Sequence, residues 1–178
     1  MWALVESNSI TKTFNRPKGF TLGDVQYPAS IFTLWSKAEK EAIGLYEVIM
    51  DNTNLKDKAY WINGAESFTW DSSAKTVTRS YASATAKDLA DLKTLHKENI
   101  NRDAGSILQP TDWMAIRDSE GGTAMPSDIK TKRAAVRTKA NAMCVQIDAS
   151  NSVDTLAQLY VYNTDEPPVR PLGELPTV

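Results

Sequence analysis

Hydrophobic and polar positions alternate with a short period over residues 1 to about 80 and with a helical period afterwards. "WALVES" and "ITKTF" are β-prone runs around the turn former Asn8. "RPKG" reads as a turn, and "FTLGDVQYP" as a further extended stretch. "SKAEKEAIG" is the exception: Ser36 and Glu39 fit a capping box and Gly44 fits a stop, which predicts one short helix. "LYEVIMD" then reads as a buried strand. "KAYWINGAESFTW" places Asn63-Gly64 between two aromatic-rich runs, which predicts a two-residue hairpin turn. With "DSSAK" as the next turn and "TVTRSY" as the next strand, Leu45 to Tyr81 is expected to be an antiparallel meander.

The period changes at "ASATAKD". Thr85 is expected to cap a helix to about Leu108, with Leu89, Leu92 and Leu95 on its apolar side. Pro110 should break that helix, and Thr111 should cap a short one carrying Trp113 and Ile116. Gly121-Gly122 ends it. Pro126 and Ser127 open a long helix to about Ile147, and Ser152 starts a last one with Val153, Leu156, Ala157 and Tyr160. In the long helix Ile129, Val136 and Met143, with Arg133, Ala140 and Ile147, form one stripe that is apolar except for Arg133. A buried arginine needs acceptors, and Asp112, Asp118 and Glu120 are the nearby carboxylates. The fold class expected is α+β. An antiparallel β-meander part spans 1–83, a helical part 84–162, and an extended Pro-rich tail 163–178, with no core of its own. The tail is expected to be ordered by another chain or by the β part.

Composition narrows the chemistry. The chain has 178 residues, a net charge of −2, one His and one Cys. With no block of one sign, nucleic acid is not expected as a partner. One cysteine excludes an internal disulfide and a Cys-based zinc site. No 18-residue apolar run suggests a membrane span, and the N-terminus does not resemble a signal peptide. His96 and Cys144 fall on packed helical positions without a nucleophile–base pairing. "GGT" at 121–123 lacks the strand and lysine of a phosphate loop. No cofactor, metal or catalytic residue is expected. Trp35, Trp61 and Trp70 admit a sugar-stacking platform, although core packing is the simpler reading; with Trp2, Pro167, Pro168 and Pro171 they are also candidates for a protein interface.

"LQPTDWMAIR" concentrates expensive residue types, and the simplest reading is a helical corner in which Trp113 fills the gap between helices while Arg117 and Arg133 reach carboxylates. The longer stretch "LQPTDWMAIRDSEGGTAMPSDIKTKRAAVR" resembles the C-terminal module of tail proteins and tail-fibre assembly proteins of tailed bacteriophages. The positions that carry the resemblance are Leu108, Thr111, Asp112, Trp113, Arg117, Pro126, Arg133 and Arg137. "YPASIFTLWSKAEKEAIGLYEV" also looks like the front of short tail-associated proteins of marine phages. The resemblance implies a non-enzymatic structural or adaptor role at the tail tip, baseplate or fibre attachment of the virion, with other tail, baseplate or fibre proteins as partners and synthesis in the host cytoplasm. A tail-fibre assembly chaperone is the alternative, and a glycan-binding module a further one.

Overall fold

Ser7 and Asn8 both adopt positive φ, 50° and 64°. A consecutive pair in that conformation matches the twist of two antiparallel strands, and β1 (Trp2–Glu6) and β2 (Ser9–Phe14) pair around it. β3 (Phe20–Leu22) and β4 (Val25–Tyr27) form a second small hairpin turning at Gly23. α1 (Ile31–Leu34) is a single turn that buries Ile31 and Phe32. α2 (Lys37–Ala42) starts on a complete capping box, with Ser36 N–H donating to the Glu39 carboxylate at 2.7 Å. Gly44 ends it at φ 79°, and a Cβ there would lie 2.3 Å from the Val5 carbonyl. Only glycine lets β5 (Leu45–Met50) approach β1 this closely.

The computed structural model describes residues 1–178, which divide into two compact units, Met1–Thr85 and Ala86–Val178. In the first, β6 (Trp61–Ile62) precedes the hairpin of β7 (Glu66–Asp71) and β8 (Thr76–Tyr81). The five-stranded sheet has the order β2-β1-β5-β8-β7. Leu45 to Tyr81 is therefore not an antiparallel meander: β5 runs parallel to β8, with Val48 opposite Val77. A parallel neighbour needs a long crossover, and residues 51–75 provide it, through an irregular loop and the edge strand β7.

Asn63-Gly64 is not a hairpin turn either, because β6 does not pair with β7. The Asn63 side chain acts as a substitute strand. Its Oδ1 accepts from Lys56 N–H at 2.8 Å and its Nδ2 donates to the Lys56 carbonyl at 2.9 Å. Gly64 is needed for close approach instead, since a Cβ there would meet the Ala82 carbonyl at 2.6 Å. Neither residue has positive φ.

Alternation gives the sheet two apolar faces. Leu4, Phe14, Phe20, Ile31, Phe32 and Leu45 form the core on one face. Ala3, Val48 and Val77 form it on the other, with Tyr46, Phe68 and Trp70 packed around them. The sheet curls so that its edges meet, and Trp70 Nε1 donates to Asn8 Oδ1 at 2.9 Å.

The second unit is helical. β9 (Thr85–Ala86) is extended, so Thr85 is not a helix cap; Asp88 is, accepting from Asp91 N–H at 2.9 Å at the start of α3 (Leu89–Leu108). Leu92, Ile100 and Ala104 are buried on α3, whereas Leu95 is exposed. Pro110 does not break the chain sharply. It sits early in a 3-10 turn, Gln109–Thr111, which continues α3 directly into α4 (Asp112–Ser119). α5 (Ser127–Ala149) packs along α3 through Arg133, Val136, Ala140, Met143 and Ile147, all buried. Lys97 Nζ meets the Asp148 carboxylate at 2.8 Å across the same pair of helices. α6 (Val153–Gln158) is capped by Ser152 and ends before Tyr160. The Pro-rich tail folds back on its own helical unit: Leu172 is fully buried, its N–H donates to the Leu159 carbonyl at 3.0 Å, and its carbonyl accepts from Lys139 Nζ at 3.0 Å. No helix is long and apolar enough to cross a membrane.

Candidate docking corner in the helical unit

The corner is organised by one buried side chain. Arg133 is 5% exposed, and its guanidinium fork reaches three acceptors. Nη1 donates to the Leu108 carbonyl at 2.6 Å and to Thr111 Oγ1 at 2.5 Å, and Nη2 donates to Asp112 Oδ1 at 2.6 Å. Leu108 is the last residue of α3, where carbonyls lack helical partners and the helix dipole is negative. Arg133 therefore caps α3 while fixing the start of α4. The Thr111 hydroxyl donates to the same Leu108 carbonyl at 3.0 Å and makes no capping bond to α4. Bonded to the Leu108 carbonyl and to Arg133, the hydroxyl is turned back toward α3 and not onto the α4 backbone.

The Arg133 fork also decides where Trp113 points. Consecutive helical residues are about 100° apart. With Asp112 tied inward, Trp113 turns outward and is 53% exposed. It does not fill the gap between helices; the arginine does. Ile116, one turn on, is 57% exposed on the same outer face. Arg117 reaches no carboxylate. Its guanidinium carbon lies 4.9 Å from the Trp113 ring centroid, and its Nε donates to the Thr123 carbonyl at 3.0 Å. Gly122 makes room for it, because a Cβ there would sit 2.8 Å from Arg117 Cγ. The outer face of α4 is thus an aromatic–aliphatic–arginine patch held in place by backbone contacts.

The inner face of α4 is different. Ala115, Asp118 and Ser119 face Lys130, Arg133 and Arg137 of α5 across an open cleft of about 360 Å³, also lined by Met125. Arg137 is exposed and makes no ion pair. So the structure brings together Leu108, Thr111, Asp112 and Arg133 by direct hydrogen bonds, adds Arg137 at the cleft, and sets Trp113 and Arg117 on the outside. Sequence reading missed Ala115, Ser119, Met125 and Lys130; the i, i+3, i+7 spacing of Lys130, Arg133 and Arg137 was the available signal.

The other candidates are dispersed. Trp2 and Trp35 pack on one face of the sheet, at 5.1 Å from Phe32 and 5.8 Å from Tyr27. Trp70 packs on the other, 4.5 Å from Tyr46. Trp61 lines a separate cleft with Ile62, Arg79 and Tyr81. All four are half-buried, and no common platform joins them. Pro167, Pro168 and Pro171 are exposed, on either side of half-buried Arg170. His96 stacks on Tyr160 at 4.5 Å, and burial lowers its pKa. Burial pushes the Cys144 thiol up, away from the thiolate that a nucleophile requires. No group of three or more His, Cys, Asp or Glu side chains is placed to hold a metal.

No protein-family model, no curated protein and no solved structure matches the chain.

Proposed function

We propose that this chain is a non-enzymatic structural or adaptor protein of a bacteriophage tail, acting at the tail tip, baseplate or fibre attachment by binding other tail, baseplate or fibre subunits. The observation that carries the reading is the outer face of α4. Trp113 and Ile116 stand exposed on a helix whose start is tied down by the Arg133 fork, with Arg117 stacked on the tryptophan. Exposed tryptophan and arginine are the residue types that contribute most at protein interfaces. A rigid anchor also loses little entropy on docking. This face lies inside the stretch that resembles the phage tail module, which supplies the class of partner and the virion as the destination.

Co-expression with the tail, baseplate and fibre proteins of the phage that encodes it, followed by size exclusion, tests the reading. The expected result is a stable complex with at least one of them. The double change Trp113→Ala, Ile116→Ala should weaken that complex by tenfold or more, on the order of 2 kcal/mol, without lowering the melting temperature. A chain that stays monomeric with every one of these proteins would overturn the proposal. Mass spectrometry of purified particles then separates a resident subunit from an assembly chaperone that leaves.

A further inference from the structure

We propose that the cleft between α4 and α5 is a second docking site, one that takes an acidic, carboxylate-bearing peptide segment of a partner protein. This deepens the tail-adaptor reading, on which the identity of the partner as a tail subunit rests. Lys130, Arg133 and Arg137 line the cleft against one acid, Asp118. Between Asp128 and Asp148 α5 carries no acidic residue but five cations: Lys130, Lys132, Arg133, Arg137 and Lys139. That concentration stands out in a chain whose net charge is −2.

The three cations of the cleft are not equivalent. Arg133 is committed to Leu108, Thr111 and Asp112, so it is a fixed wall. Lys130 and Arg137 take part in no internal side-chain hydrogen bond or ion pair. They lie seven residues apart, on one side of the helix and about 10 Å apart along its axis. Glutamate or aspartate residues about two helical turns or three strand positions apart match such a spacing. Arg137 offers a planar fork suited to a carboxylate, and Lys130 a point charge. Ala115 and Met125 supply apolar wall for the side-chain stem of the incoming residue.

The shape favours peptide over nucleic acid. A volume of about 360 Å³ holds one or two side chains, not a phosphodiester track. The acidic surplus of the chain works against a long polyanion. The Trp113–Ile116 face is turned away from the cleft, with Asp118 about half a turn round α4 from it and Ala115 and Ser119 less far. One helix would therefore present an apolar anchor outward and a charge-reading cleft inward.

The test uses the purified full chain, isotope-labelled, and the capped peptide Glu-Leu-Glu-Glu-Leu-Glu as probe. Its all-glutamine counterpart, inorganic phosphate and a short DNA duplex serve as comparison ligands. The expected result is chemical-shift change confined to Ala115, Asp118, Ser119, Met125, Lys130 and Arg137, with the glutamine peptide binding roughly tenfold weaker or not at all. Lys130→Glu with Arg137→Glu should abolish the shifts while keeping the melting curve. The neutral pair Lys130→Gln with Arg137→Gln gives an intermediate loss if charge reversal perturbs folding. Equal binding of the two peptides, no localised shifts, or tighter binding of phosphate or DNA would each overturn the proposal. Because the measurement needs no phage component, its outcome is independent of whether the chain resides in a tail.

Discussion

The two units use tryptophan in opposite ways. In the β unit Trp2, Trp35, Trp61 and Trp70 each lean on another aromatic ring, and the rings of Trp2, Trp35 and Trp70 extend the apolar faces of a small curled sheet. In the helical unit Trp113 stands outward against a guanidinium, while the interior of its corner is polar. The difference follows from what each architecture lacks. A short sheet has two faces to cover and few residues, so large rings cover area cheaply. A helical hairpin of Ala, Val, Met and Ile closes without rings, but its helix ends leave carbonyls that must be bonded. Arg133 meets that need, and Trp113 is released for other use.

If the tail is an integral part of the helical unit, Leu172→Ala should be the most damaging change, at about 2–5 kcal/mol, seen as faster hydrogen exchange in α5 and α6. A loss below the lower figure would return the tail to the status of a surface strip. Arg133→Met should cost about 2–4 kcal/mol in chemical denaturation, because Leu108 and Thr111 lose a donor inside the corner. Arg133→Lys should recover little, since one ammonium cannot reproduce a three-acceptor fork. Full recovery by lysine would show that charge, not geometry, holds the corner. In the β unit Gly64→Ala should cost about 1–3 kcal/mol through its clash with the Ala82 carbonyl; a neutral result would mean that the backbone yields there. Trp113→Ala should shift stability by less than about 0.5 kcal/mol. A drop of several degrees in melting temperature would erase the contrast between the units.

The smallest effect is a pH dependence of the tail. Tyr162 donates to the Glu174 carboxylate at 2.6 Å. That bond, helped by Arg170, holds the Glu174 carboxyl below its ordinary range and raises the Tyr162 phenol above its own. A depressed carboxyl stabilises above its unfolded value and loses that contribution as pH falls through the folded one. A raised phenol stabilises below its unfolded value and loses that contribution as pH rises through the folded one. The latch should therefore be tightest between the two. Both groups are exposed, so solvent screens the gain. Exchange rates at Leu172 measured across this window, with Tyr162→Phe alongside, would check it; identical pH profiles would remove the latch.

Local chemistry by itself determined a good deal of this protein. Ser36 with Glu39, Gly44, Ser152 and Gly121 set helix ends through contacts within a few residues, and Asn8 set a hairpin in the same way. The heptad stripe of α5 was legible because helical periodicity places its members on one side whatever surrounds them. That stripe also implied a carboxylate for Arg133, and Asp112 meets it. Tertiary structure alone decided the rest. The parallel pairing of β5 with β8 depends on a crossover, which no local signal encodes. Asn63-Gly64 has the composition of a turn, yet the close approach of Ala82 and the side-chain bonds to Lys56 override it. The outward turn of Trp113 depends on which residue reaches the interior of the corner first, and that is settled by a partner 21 positions away from Asp112. Burial of Leu172 depends on the tail folding back across α5 and α6, a contact between residues that the sequence keeps far apart. The division has one physical source: hydrogen bonds between near neighbours are encoded by residue type and spacing, whereas desolvation and long-range pairing depend on what the rest of the chain brings alongside.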